Sequence, residues 1–515
     1  MATKIRASGA NRSLVLLQDD WSAGSRQDKP RDQIAGNAAW LLTDCFPDAN
    51  YTTGAGFPLR SRNGWVRTCA AMSHTGSSQA LVVGFGDFYS ANAARILGID
   101  EDGRLYKWTP GSAGASPDSD GSPTLVGTTV VPWQSRIFNY RSKAYMIAAG
   151  ATGYSYDGTT LAGMTGSPPQ ATYGCVWRDH LVLANSIANE GRVWFADAGD
   201  PTSWNTAAGG QWLDCSGWVW GIASFQGMLF AFQDGLTERI RGDIIPGVIN
   251  SDMVREPLFP SGTSWPRSIC VTAQGIVFAN ADGVWLTDGQ QAYDLTAQCG
   301  MGEYWKASMK PAPGLTNDPS AAVYKDWYVF AANADSEDMT CAINLREKQF
   351  VRLSNLPARM LATTTTEWTY GPPRLLMAEH FAPRVSDIGV MLDEVSAYTD
   401  VDGNGTVITP SVQTRFYEFG AGPSRIRSLY LTGGGDVPAG STDIRYSDTP
   451  HVEPATILTS AHTLGGARTR ISFGKAAAGM SFAITPVLEA GTTSTTGFHL
   501  DSLEAEVSPL YGRRR

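Results

Sequence analysis

Ala273-Gln-Gly-Ile-Val-Phe-Ala-Asn-Ala-Asp-Gly-Val-Trp-Leu-Thr-Asp-Gly289 decides the fold. An apolar run ending in small residues, a turn at Asp-Gly, an aromatic run and a closing Asp-Gly make one β-hairpin with its exit turn. Residues 140–158 end in Gly153-Tyr-Ser-Tyr-Asp-Gly158, residues 177–199 contain Gly191-Arg-Val-Trp-Phe-Ala-Asp-Ala-Gly199, and 225–235, 324–335 and Asp102-Gly-Arg-Leu-Tyr-Lys-Trp108 are partial copies. One such unit cannot bury its own apolar faces. Copies recurring at roughly 40 to 50 residues, about four short strands each, have the period of β-propeller blades, which bury those faces against one another. Apolar centres at 80–85, 144–148, 180–184, 228–232, 275–279, 327–331 and 375–378 allow six or seven degenerate blades.

Composition supports a mostly β chain. The 55 glycines and 16 tryptophans exceed ordinary usage while charged residues make up only 17%, a balance suited to short strands, tight turns and aromatic packing. At 515 residues the chain exceeds what one hydrophobic core usually serves, so a second domain is expected. The net charge of −9 argues against a protein that grips nucleic acid, because affinity for phosphate comes from clustered Lys and Arg. Of the 40 basic residues 31 are arginine, and the sequence closes on Gly512-Arg-Arg-Arg515, which reads as a solvated tail or as a contact for an acidic partner. Seven scattered cysteines without a Cys-x-x-Cys pair point to reduced structural thiols. The stretch Leu14-Val-Leu-Leu17 is too short for a signal peptide, and no apolar run has the length of a membrane span, so the sequence reads as a soluble protein made in a cytoplasm.

Three regions follow. Residues 1–70 are rich in Asn, Asp, Gly and Arg and read as an irregular arm that lies along another part of the molecule. Residues 71–395 read as the propeller, interrupted by a Gly/Ser/Pro-rich loop at 110–124 and a proline-bearing connection or small insertion at 241–263. After Asp400-Val-Asp-Gly-Asn-Gly405 the pattern changes to alternating runs at 407–419, 425–432, 441–447, 467–473, 479–488 and 499–507, so 396–515 reads as an antiparallel β-sandwich-like domain.

No motif demands an active site. Asp400, Asp402 and Asn404 match the first half of a calcium loop, but Ser411 stands where its bidentate Glu belongs, which favours a polar interdomain turn. The turn Phe195-Ala-Asp-Ala-Gly-Asp-Pro-Thr-Ser-Trp204 is a near miss to the Asp-box of sialidase-type propellers and is not repeated from blade to blade. The six histidines show no metal spacing, and there is no Gly-x-Ser-x-Gly elbow or Walker loop. Accordingly no catalytic residue, cofactor or firm metal site is assigned.

The order of features resembles the tail hub or nozzle proteins of short-tailed double-stranded DNA bacteriophages, also called tail tubular or tail accessory proteins. The likeness rests on Arg60-Ser-Arg-Asn-Gly64 after the irregular arm, Val193-Trp-Phe-Ala-Asp-Ala-Gly-Asp-Pro-Thr-Ser-Trp204, Met228-Leu-Phe-Ala-Phe-Gln-Asp-Gly-Leu-Thr-Glu-Arg239, Arg425-Ile-Arg-Ser-Leu-Tyr-Leu431, Asp443-Ile-Arg-Tyr-Ser447 and Asp501-Ser-Leu-Glu-Ala-Glu-Val507. It implies a structural virion protein: a homohexameric ring on the tail axis, below the portal and its adaptor ring, in contact with tail fibres or spikes, conducting and gating a duplex that it does not bind by sequence. Arg60, Arg62, Arg513, Arg514 and Arg515 are the candidate interface residues. No inserted tip domain is apparent unless 110–124 or 241–263 supplies a gate loop. The alternative from another class is a carbohydrate-binding or glycan-hydrolysing propeller, suggested by the aromatic blades and the near-miss turn.

Overall fold

A computed structural model describes residues 4–5, 13–48, 58–62, 64–67, 82–90, 93–108, 124–128, 136–147, 151–245, 252–308, 319–334, 337–354, 356, 358–364, 373–379, 385–388, 399–400, 406–419, 423–435, 437, 441–464, 468–486 and 497–509. Seven four-stranded antiparallel blades form a closed propeller. Blade one is Val82–Ser90, Ala93–Asp100, Arg104–Trp108 and Thr124–Thr128. Blade two opens at Arg136–Tyr140, blade three at Ala171–Trp177, blade four at Gly221–Phe225, blade five at Cys270–Val271, blade six at Ser320–Tyr324 and blade seven at Ala358–Thr363. These opening strands pack in succession, and that of blade seven packs on that of blade one.

The apolar runs of the sequence are continuous because each strand is buried on both faces. Val277 and Ala279 face blade six with Tyr328 and Phe330, whereas Ile276 and Phe278 face blade four with Phe230 and Phe232. The same arrangement repeats around the ring, with an apolar cluster between neighbouring blades, including Val82, Ile96 and Trp108 of blade one against Met360, Leu376 and Ala378 of blade seven; between blades six and seven the cluster is continuous with the core of the C-terminal part. Polar latches reinforce these contacts on one rim. Arg141 on a blade-two turn pairs with Asp179 of blade three, and Arg178 of blade three donates to the carbonyls of Gly227 and Gly242 and to Asp243. The turns that carry them have left-handed residues in pairs, Arg141 with Ser142 and Arg178 with Asp179, as two-residue hairpin turns that match strand twist require.

The first 70 residues depart from the irregular arm that their composition suggests. Trp65–Arg67 pairs with Val385–Ile388 and is the outermost strand of blade seven, so the ring is closed by a strand from far upstream. Ser13–Gln18 and Leu59–Ser61 both pair with Phe498–Pro509. Leu41–Thr43 lies parallel to Gln349–Leu353 of blade six and antiparallel to Ser411–Gln413, and through it blade six continues into a ten-stranded sheet. Composition missed these strands because each is only a few residues long and takes its stability from its neighbours.

The C-terminal part is a sandwich. One sheet orders Lys4–Ile5, Ser13–Gln18, Phe498–Pro509, Ser424–Gly435 and Arg468–Ala477; the other is the outer half of the ten-stranded sheet, ending in Gly479–Pro486, Thr442–Ser447 and Thr456–His462. Ile426, Leu429, Leu503 and Ala505 from the first sheet meet Val412, Ile444, Phe482 and Ile484 from the second in one core, which also holds Val329 and Met377 of blades six and seven. The proline-bearing stretch after Arg241 is no insertion in its second half: Val254–Phe259 is the outer strand of blade four, and Pro257 is tolerated there because an edge strand has no outer partner.

Candidate functional site

Among the described residues, charged groups are buried on the propeller axis and at the junction between arm, blade six and sandwich, as well as singly within blades. On the axis, a cavity of about 180 Å³ is lined by Arg136, Arg267 and Ser320 with an apolar wall that includes Phe138, Met360 and Leu361. The lining comes from blades two, three, five, six and seven. Arg267 stands on the short turn Pro266–Ser268 that leads into blade five, is buried, and donates through Nη2 to the carbonyl of Val83 in blade one, 2.8 Å away. Its side chain therefore spans the bore. The turn is rigid: Ser268 Oγ donates to the carbonyl of Trp265 at 2.7 Å, Ala279 N donates to Ser268 Oγ at 3.1 Å, and Tyr328 Oη donates to the Ser268 carbonyl at 2.9 Å. Around the axis, burial pushes the thiols of Cys175 and Cys270 up to about 12, and the charge of Arg136 opposes the shift at both. Close by in blade seven, burial lowers the Arg359 guanidinium while Glu101 raises it.

At the junction, Asp44 and Arg62 are both fully buried. Arg62 Nε donates to Asp44 Oδ1 at 2.6 Å and Nη2 to the carbonyl of Ser354 at 2.9 Å, while Ser354 N donates to Asp44 Oδ1 at 3.0 Å and its hydroxyl donates to Oδ2. Asp44 sits at φ 54°, a left-handed conformation that an Asx side chain tolerates. The reading of Arg62 as an interface residue is therefore corrected: its charge is consumed within the chain and has no path to a partner's surface. Arg60 is partly exposed and pairs with Asp48 at 3.0 Å. Arg513, Arg514 and Arg515 lie outside the described residues, as do Asp402 and Asn404; Asp400 ends the short strand Thr399–Asp400. Among the described residues no group of His, Cys, Asp and Glu could hold a metal ion.

The remaining motifs serve structure. His180 Nδ1 lies 2.7 Å from the carbonyl of Ala196. In the Asp-box-like turn, Asp197 Oδ1 accepts from Ala198 N and Asp200 Oδ1 accepts from Thr202 N, which shapes the loop locally. Gly199 of that turn donates to the carbonyl of Asp179, and a Cβ there would stand 2.6 Å from Arg141 Nη2, so the turn braces the latch between blades two and three. Sequence reasoning did not find Arg136 and Arg267. The only signal was an arginine in a Trp-Pro-Arg-Ser turn, which resembles any exposed loop until the ring brings Val83 within reach.

The architecture is a seven-bladed propeller fused to a β-sandwich through a shared sheet. No protein-family model matches the chain, and no curated protein matches it. Among solved structures it is similar to U3-55K (TM-score 0.40, 11% identity, covering 67% of this chain and 100% of that one). It is also similar to the computationally designed Ika8 protein (TM-score 0.35, 11% identity, 63% of this chain and 100% of that one). A third likeness is to an exo-β-1,3-galactanase from Phanerochaete chrysosporium (TM-score 0.27, 11% identity, 85% of this chain and 99% of that one). At these scores the likenesses carry no argument about activity. No helix among the described residues is long and apolar enough to cross a membrane.

Proposed function

We propose that the chain is a structural virion protein of the tail nozzle or hub, copies of which form a ring around the tail axis that conducts and gates the genome. One observation carries the reading: the sheet of blade six runs unbroken through Leu41–Thr43 into the sandwich, so that propeller and platform make one body suited to bearing load. The propeller's own axis is crossed by Arg267, and the cavity beside it measures about 180 Å³, far too small for a duplex whose major groove alone is ~12 Å wide. A conduit would therefore form between copies, with the portal-side adaptor and the tail fibres or spikes meeting the ring's outer surfaces. A net charge of −9 suits a bore through which DNA slides, since it limits the counterion release that would hold the phosphates. Antibody labelling of virions made from the genome that encodes the chain tests this proposal. Label on the tail axis supports it, and label on the capsid or none on the particle overturns it.

A second reading, carbohydrate binding, is favoured by one surface feature. Trp218 is 57% exposed, and its ring lies 6.2 Å from that of Trp220, offering an aromatic plate to solvent. Saturable binding of a glycan that is lost in Trp218→Ala would favour this reading over the ring.

A further inference from the structure

The C-terminal sheet carries a surplus of arginine on its outer face. Along Ser424–Gly435, Ile426, Leu429 and Leu431 enter the core, and a bulge between Ile426 and Ser428 inserts Arg427 opposite the strand Phe498–Pro509. A bulge re-aims side chains, and here Arg425 and Arg427 both stand exposed on the face away from the core. Arg427 Nε donates to Ser508 Oγ at 3.3 Å. Two neighbours on that face are compensated, Arg468 by Glu504 and Arg470 by Glu506 at 3.6 Å. Among the described residues no carboxylate pairs with Arg425 or Arg427. The sequence runs on from Pro509, the partner of Ser424, to Arg513-Arg-Arg515; at no more than ~3.6 Å per residue, Arg513 lies within ~14 Å of Pro509 and adds to the surplus.

The propeller carries the opposite charge on one rim. In every blade the turn from the second to the third strand lies at the end where the inner strand begins, so these turns share a rim. Glu101 and Asp102 stand on that turn of blade one. Asp234 stands on that of blade four, between Met228–Phe232 and Thr237–Arg241, and Asp282 on that of blade five, between Ile276–Asn280 and Gly283–Thr287. All four are exposed, and the carboxylates of Asp234 and Asp282 have no partner among the described residues. We propose that Arg425 and Arg427 of one copy dock on the acidic rim of the next copy, at Asp234 and Asp282. A guanidinium is a planar fork of N–H donors that matches carboxylate oxygens pairwise. In a chain of net charge −9, a second copy complements the arginine face, whereas the rest of the surface repels the phosphates of nucleic acid. A contact between two different surfaces of the same chain runs head to tail and closes into a ring where the rotation allows, so the inference rests on the reading of copies around a tail axis.

Sedimentation velocity of the full chain at low and at high salt tests the contact by charge reversal. The parent should assemble, and less so as salt screens the pairing. Arg425→Glu with Arg427→Glu should weaken association at least tenfold, and so should Asp234→Arg with Asp282→Arg. Both pairs of changes combined in one chain should restore assembly, which a merely structural role for these residues would not do. All four side chains are exposed, so circular dichroism and the urea midpoint of each variant should match the parent's. Assembly unchanged in either reversed variant would overturn the docking proposal and leave the ring standing on other surfaces. A parent that stays single at every concentration and salt would overturn the ring and this contact together. In a gel-shift assay with a short DNA duplex, retention by the parent that is lost in Arg425→Glu with Arg427→Glu would assign the face to phosphates and overturn the proposal in that way.

Discussion

Arg62→Met is the most informative perturbation of the junction, because it removes a fully buried cation and leaves the volume of the side-chain stem largely filled. The Asp44 carboxylate would keep both donors of Ser354 but lose the Arg62 Nε bond at 2.6 Å, and the Ser354 carbonyl would lose its donor at 2.9 Å. Two unit charges about 4 Å apart attract by ~4 kcal/mol at an effective dielectric of about 20. Measured losses on breaking one side of a buried pair run at about 3–5 kcal/mol, because the surviving charge is left uncompensated. The two routes agree on a loss of about 4 kcal/mol. Asp44→Asn strips the charge from the other side while keeping a residue that accepts φ 54°, and should cost a similar amount. The double variant buries neither charge, so its cost should fall short of the sum by about 2 kcal/mol or more. Urea unfolding followed by tryptophan fluorescence is the assay, since Trp21 and Trp65 lie in the core beside the junction. Single variants within about 1 kcal/mol of the parent, or an additive double variant, would refute the view that this pair locks arm, blade six and sandwich together.

Trp65→Ala should cost about 3–5 kcal/mol and speed proteolysis, because Trp65 is buried in the strand that closes blade seven; an unchanged urea midpoint would contradict that closure. Gly283→Val should cost about 1–3 kcal/mol, chiefly because a Cβ there would stand 2.3 Å from Thr296 Oγ1, which accepts from Val284 N; a parent-like thermal midpoint would refute this. Hydrogen bonds from the backbone of Thr160 and Thr159 hold Asp157, and those of Gln291 and Gln290 hold Asp288, below the ordinary 3.8. Their folded values are depressed, so their contribution is present above 3.8 and is lost as pH falls through the folded values. Unfolding midpoints measured downward from pH 5 should therefore drop more steeply in the parent than in Asp157→Asn. Arg178→Ala, which breaks an exposed latch, should lower stability by under about 1 kcal/mol in the same urea assay.

What could be read from the sequence followed from what each strand buries. Ile276-Val-Phe-Ala carries apolar residues on both faces because a blade lies on either side, and that continuous run, repeated, discloses a ring. The alternating runs after residue 405 disclose a sandwich for the converse reason, with one face of Arg468–Ala477 turned to solvent. Seven blades could not be counted from apolar centres alone, because the strand completing the seventh is Trp65-Val-Arg67, nearly 300 residues upstream of the rest of that blade. In the sequence Arg62 is an arginine in a polar turn, which marks it as a candidate interface residue. Its burial depends on Asp44 and Ser354, which no local pattern links to it. The axial arginines stayed hidden for the same reason: Arg267 acquires its role only when the closed ring sets Val83 across from it.

The central functional claim is tested most directly by electron cryomicroscopy of the purified full-length chain. The account predicts closed rings of six copies around a bore wide enough for a DNA duplex, with each copy showing a seven-bladed propeller joined to its sandwich. Single chains at every concentration, or rings whose only passage is the axis of an individual propeller, would contradict it.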